Sequence, residues 1–157
     1  MQHMSTDMTW STASSSSDAT DKFGEQLGRR LKGGEIIELV SDLGGGKTTL
    51  TRGIARGAGS SDVVGSPTFM LSKVYKAPKF DIYHFDFYRL EEAGIIEHEL
   101  HDVLEDTTSV VIVEWGDVVK HVLPKRRLTI RMSKTLNEHR ELVCTYPEEL
   151  AYLVEQI

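Results

Sequence analysis

The residues best suited to chemistry in this 157-residue chain stand together in the stretch SDLGGGKTTL, Ser41 to Leu50. It nearly spells G-x-x-x-x-G-K-[ST], a loop whose successive backbone N–H groups form a nest for phosphate oxygens. Gly44, Gly45 and Gly46 permit close approach and positive φ angles that residues with a Cβ resist. In such a loop Lys47 reaches the β- and γ-phosphates and the Thr48 hydroxyl ligates Mg2+. The following helix adds its positive N-terminal end. Ser41 stands where the pattern has its first glycine. Its small side chain costs about 1 kcal/mol if the position needs glycine-like freedom, too little to abolish binding. The plainer alternative is a glycine-rich turn capping a helix, with Lys47 merely exposed.

A phosphate site needs acidic partners, and two segments offer them. SVVIVEWGD is an apolar strand with Glu114 at its C-terminal end, the edge where ligands bind in open α/β sheets. A carboxylate there holds Mg2+ through water or orients the attacking water; otherwise it is a solvated strand-end acid. In YHFDFYRL, alternation puts His84, Asp86 and Tyr88 on one strand face and Tyr83, Phe85 and Phe87 on the other. Alone, the first face reads as polar and solvated. Beside a phosphate loop, Asp86 becomes a candidate general base or Mg2+ partner. GSPTF, Gly65 to Phe69, is turn-like, and its Thr68 is placed to sense a γ-phosphate or its metal, or simply precedes a strand. No N/T-K-x-D segment of the guanine-reading kind occurs, so adenine is the expected base.

The elements that position these groups follow from pattern. Thr20 can cap a helix through DKFGEQLGRRLKGG, where Phe23, Leu27 and Leu31 share a face and Gly33 and Gly34 end it. EIIELV predicts a buried strand, the glycine loop follows at once, and KTTLTRGIARGAG predicts the next helix. That order is the context a phosphate-loop match requires. FMLSKVY and KFDIYHFDFYRL predict a hairpin around Ala77 and Pro78. GIIEHELHDVLED predicts a helix with Ile96, Leu100, Val103 and Leu104 on one side. SVVIV is a second buried strand, RLTIRM and HRELVCTY a final hairpin, and EELAYLVEQI a terminal helix after Pro147. The expected fold class is α/β, a P-loop NTPase-like mixed sheet with a parallel core and antiparallel additions, flanked by helices. Residues 20–157 form one domain in this reading, and residues 1–19 a flexible leader.

Composition narrows the function. A chain that is 39% hydrophobic and 27% charged is an ordinary globular protein. No apolar run approaches the roughly 20 residues of a membrane span. The first 19 residues carry no Arg and no apolar centre, unlike a transit or signal peptide. Cys144, the single cysteine, sits in the alternating run ELVCTY and reads as a buried thiol. These features suit a cytoplasmic protein. The net charge of −6 disfavours autonomous grip on nucleic acid, since only KRRLTIRMSK and KVYKAPK are locally basic.

LGGGKTTLTRG, SPTF, HFDFYRL, VEWGD and EHREL, in this order, resemble the TsaE family, formerly YjeE, of bacterial P-loop ATPases. The resemblance runs from about Thr20 to about Val143. It implies a protein that binds and slowly hydrolyses ATP with Mg2+. It also implies docking on a TsaB–TsaD complex that makes tRNA N6-threonylcarbamoyladenosine, so that tRNA is met only through the complex. Carried over by position, Leu43, Gly44, Gly45, Gly46, Lys47, Thr48 and Thr49 hold the phosphates, with Thr48 and Glu114 at the metal. Asp86 matches the family's acid in H-x-D-x-Y-R, Thr68 its switch-like threonine, and Arg140 a nucleotide-contacting arginine whose guanidinium can stack on adenine. The stretch around Ser17 lines the base. The family usually has glycine at the position of Ser41.

Two other readings compete with an ATPase serving a partner complex. A small-molecule kinase would want an arginine-rich lid, and PKRRLTIR alternates like a strand instead. A nucleotide-binding adaptor without hydrolysis has only Ser41 in its favour. The sequence shows no obvious arginine finger, a group that contributes about 10³–10⁵-fold in related enzymes. Slow hydrolysis by the chain alone is the consequence.

Overall fold

A computed structural model describes residues 7–41, 46–65, 72–88, 94–135, 137 and 139–157. The apolar runs form strands β1 (Met8–Ser14), β2 (Ile36–Val40), β3 (Ser72–Lys76), β4 (Asp81–Asp86), β5 (Val110–Glu114), β6 (Leu128–Lys134) and β7 (Arg140–Tyr146). They make one seven-stranded sheet in the order β1-β7-β6-β2-β5-β4-β3. The middle strands β6, β2, β5 and β4 run parallel. The flanking pairs β1–β7, β6–β7 and β3–β4 are antiparallel. This is the expected parallel core with antiparallel additions.

Among the described residues, three α-helices cover the sheet: α1 (Ser17–Arg30), α2 (Lys47–Gly57) and α3 (Ile95–Glu105). Strand alternation sorts the core into two layers. Ile37, Leu39, Ile82 and Ile112 point to the face shared with Leu27, Leu50 and Ile54 of α1 and α2. Ile36, Phe85, Val111 and Val113 point to the opposite face, with Leu100 of α3. The apolar stripe expected on α3 therefore meets the sheet, since Ile96, Val103 and Leu104 pack against that second layer.

The α1–α2 contact is backbone against backbone. A Cβ at Gly24 would lie 2.5 Å from the Leu50 carbonyl oxygen, and one at Gly28 would lie 2.1 Å from that of Ile54. Reciprocally, a Cβ at Gly53 would meet the Asp21 carbonyl at 2.2 Å and one at Gly57 that of Glu25 at 2.0 Å. Contacts that advance together along both chains mean that the helices run in the same direction. Their N-termini therefore come to the same end of the sheet. Arg56 bridges the exposed side of the crossing, donating to Asp21 and, at 2.9 Å, to Glu25.

Three local expectations change. The leader reading fails from Met8 onward, because residues 8–14 pair with the whole of β7 as an edge strand. Trp10 anchors that strand by stacking on Phe23 at 5.9 Å between ring centroids. The cap of α1 is Ser16 rather than Thr20, its hydroxyl accepting from the Ala19 N–H at 3.1 Å. Thr20 lies within the first turn, its buried hydroxyl 2.6 Å from that of Ser14. The terminal segment forms a 3₁₀ turn, Glu148–Leu153, in place of an α-helix. Arg30 donates to the carbonyls of Tyr152, Glu155 and Gln156 at the end of this segment.

Gly28→Ala separates propensity from packing. Helix propensity favours alanine by about 1 kcal/mol. The close approach predicts the opposite sign, a loss of about 1–3 kcal/mol from overpacking, measured by urea unfolding.

Candidate nucleotide site

Gly46 opens α2 with φ +98, and the next residue is Lys47. The lysine is buried and does not trail into solvent as the plain-turn alternative required. Its Nζ donates to the Ser41 carbonyl at 3.1 Å and to the Ser41 hydroxyl at 3.3 Å. It also lies 4.6 Å from the centroid of the Trp115 ring, a cation–π distance. Ser41 thus supplies an acceptor that a glycine lacks. Trp115 follows β5 with φ +55, a conformation uncommon outside glycine, and it packs against Tyr88 at 5.0 Å. The turn that aims this ring at Lys47 follows directly on Glu114.

Glu114 ends β5 in register with Asp86 of β4 on one side and with Leu39 of β2 on the other. Its carboxylate is 3% exposed. It is not left unpaired: His84 Nε2 lies 2.7 Å from Glu114 Oε2. The carboxylate is an acceptor, so Nε2 carries the hydrogen. His84 Nδ1 in turn lies 3.0 Å from the Tyr75 hydroxyl, whose oxygen also lies 3.1 Å from the Gly65 carbonyl, so its one hydrogen serves one of these acceptors at a time. Burial pushes the Tyr75 phenol up to about 12, so it stays protonated at neutral pH. Asp86 is held differently, one oxygen accepting from the Tyr88 backbone N–H at 3.0 Å. The Phe87 N–H donates to the Glu114 carbonyl at 3.1 Å, locking the two strand ends together.

Of the face that alone read as solvated, His84 and Asp86 are interior, while Tyr88, beyond the end of β4, is exposed. His84 is fully buried and Asp86 is 5% exposed, on the sheet side facing α1 and α2.

A second group of predicted residues meets on the far side of α2. Ser17, Gly46, Thr49 and Arg140 line one cavity of about 230 Å³, together with Ser16 and Thr20. Two helix N-termini and a guanidinium converge there, so its field favours an anion or an electron-rich ring. A larger cavity of about 460 Å³ opens beside Ser41, Trp115, Asp117 and Arg131. Thr48 is the second residue of α2. Leu43, Gly44, Gly45 and Thr68 lie outside the described residues.

Sequence reasoning missed the partnership of Tyr75 and His84 with Glu114. Alternation had placed His84 beside Asp86, but Tyr75 comes from another strand, and no linear spacing joins the three. The platform role of Trp115 was likewise invisible.

A mixed sheet with a parallel centre and a glycine-opened helix at its C-terminal edge is the α/β, P-loop NTPase-like fold expected from the sequence. Comparison with known proteins narrows the class. A family model described as Threonylcarbamoyl adenosine biosynthesis protein TsaE matches residues 14–142. The tRNA threonylcarbamoyladenosine biosynthesis protein TsaE of Bacillus subtilis (strain 168) is 37% identical over 114 residues, 73% of this chain and 71% of that protein. The protein of the same name from Rickettsia prowazekii (strain Madrid E) is 32% identical over 135 residues, covering 85% and 92%. The crystal structure of Bacillus YdiB superposes with a TM-score of 0.75 at 27% identity, covering 98% of this chain and 94% of that one. The chain belongs to the TsaE family.

His84→Ala would leave the Glu114 carboxylate buried without its donor. The expected cost is about 3 kcal/mol, read by chemical denaturation.

Proposed function

We propose that this chain binds ATP with Mg2+, hydrolyses it slowly, and supports tRNA N6-threonylcarbamoyladenosine formation in the cytoplasm together with a TsaB–TsaD complex. One observation carries the reading. Lys47, at the start of α2, and the buried carboxylate of Glu114, at the end of β5, flank the Trp115 turn at the C-terminal edge of parallel strands. A phosphate chain on the α2 N-terminus meets a cation and an acid there.

The donor set fits Mg2+, which takes oxygen ligands and commonly combines one or two carboxylates with substrate phosphates and water. Thr48 and Glu114 are the residues that would hold it. Bound there, the ion would neutralise charge on the phosphate oxygens. The chain's own groups do the rest. Lys47 fixes the phosphates, and Asp86 or Glu114 orients the attacking water. Ser17, Thr49 and Arg140 line the cavity that would take the base. The kinase reading loses its lid, since Leu128–Lys134 is a strand paired on both sides. Family membership supports the tRNA role, and the net charge of −6 suits a protein that leaves tRNA contact to its partners.

Calorimetry with ATP and Mg2+ tests the binding reading. Lys47→Ala should abolish the heat, whereas Ser41→Gly should change affinity by no more than about tenfold. Retained binding in Lys47→Ala would contradict the site. Turnover by the isolated chain should be well below about one per second, and added TsaB–TsaD should raise it. Glu114→Ala should remove that hydrolysis, and an unchanged rate would sink the proposed mechanism.

A further inference from the structure

We infer that His84, braced by Tyr75, is the positioning residue that aims Glu114 at its metal, an inference that rests on the nucleotide–Mg2+ reading above. Three adjacent strands each contribute one group: Tyr75 from β3, His84 from β4 and Glu114 from β5. All three are buried, at 1%, 0% and 3% exposure. The imidazole is held at both nitrogens, 3.0 Å from the Tyr75 hydroxyl and 2.7 Å from Glu114 Oε2. Contacts at both ring nitrogens, from the strands on either side of β4, restrain the orientation of the imidazole.

The carboxylate therefore has Oε2 engaged by the imidazole, and no described residue bonds its other oxygen. This is the arrangement by which outer groups orient metal ligands in proteins generally. The surroundings make a purely filling role costly. Ile82, Ile112 and Leu39 on the same sheet face are aliphatic, and an aliphatic side chain at position 84 would fill the space without desolvating a polar ring. Asp86, the neighbouring acid, has its own backbone donor from Tyr88. Glu114 takes the imidazole instead.

The test is ATP titration of the full chain by calorimetry, once with Mg2+ and once with EDTA, with folding of each variant checked by thermal melting. The readout is the gain in affinity that Mg2+ confers. His84→Leu should cut that gain about tenfold, toward the level of Glu114→Gln, while affinity in EDTA stays within about twofold of the unmutated chain. His84→Gln, whose Nε2 can still donate to Glu114, should recover most of the gain, and Tyr75→Phe should fall between. If His84→Leu does not fold, His84→Asn must show the loss, because its shorter amide faces Tyr75 and stops short of Glu114. A folded His84→Leu or His84→Asn with the full gain, beside a Glu114→Gln that lacks it, overturns the positioning role and leaves the nucleotide reading intact. Unaltered binding in both Lys47→Ala and Glu114→Gln overturns the two together.

Discussion

The parallel approach of α1 and α2, backbone against backbone, determines where a ligand site can form. Gly24, Gly28, Gly53 and Gly57 remove the side chains that would hold the helices apart. Because the helices run the same way, their positive ends stand side by side at the C-terminal edge of the parallel strands. The cavity lined by Ser16, Ser17 and Thr20 from α1 and by Gly46 and Thr49 from α2 is the result. Spreading the helices would dismantle it even with every polar side chain kept. Fold and candidate site depend on the same four glycines.

Around that frame the charges are sorted by position. The chain is acidic as a whole. Its candidate site nevertheless gathers Lys47, Arg140 and two helix N-termini where an anion would lie. The acids Asp86 and Glu114 take the ends of neighbouring strands. Lys47 is held by Ser41 and by the face of Trp115, with no carboxylate partner among the described residues. Glu114 is held by an imidazole. Lys47 and Glu114 thus each have a partner that orients them.

Much of this was legible in sequence because the deciding signals were local. IIELV and KTTL gave strand and helix in order, with Gly46 opening the helix, and alternation sorted the faces of β4. Where distant partners decide, the reading went astray. MTWSTAS looks like a leader by its Ser and Thr content, yet an edge strand needs few apolar residues, and Trp10 supplies the anchor through Phe23. Thr20 is as good a cap as Ser16 in isolation; the hydrogen bond with Ser14 draws it inside. The tail forms a 3₁₀ turn whose last carbonyls accept from Arg30, a partner far away in sequence. His84 read as solvated because burial of a strand end depends on the helix laid over it.

The most direct test of the account is a crystal structure of the chain with a non-hydrolysable ATP analogue and Mn2+, located by anomalous scattering. The account predicts phosphates on the N-terminus of α2, Lys47 Nζ turned from Trp115 onto a phosphate oxygen, and the metal signal between Thr48 and Glu114. An analogue seated in the larger cavity beside Asp117 and Arg131, with Lys47 still against Trp115, would contradict it.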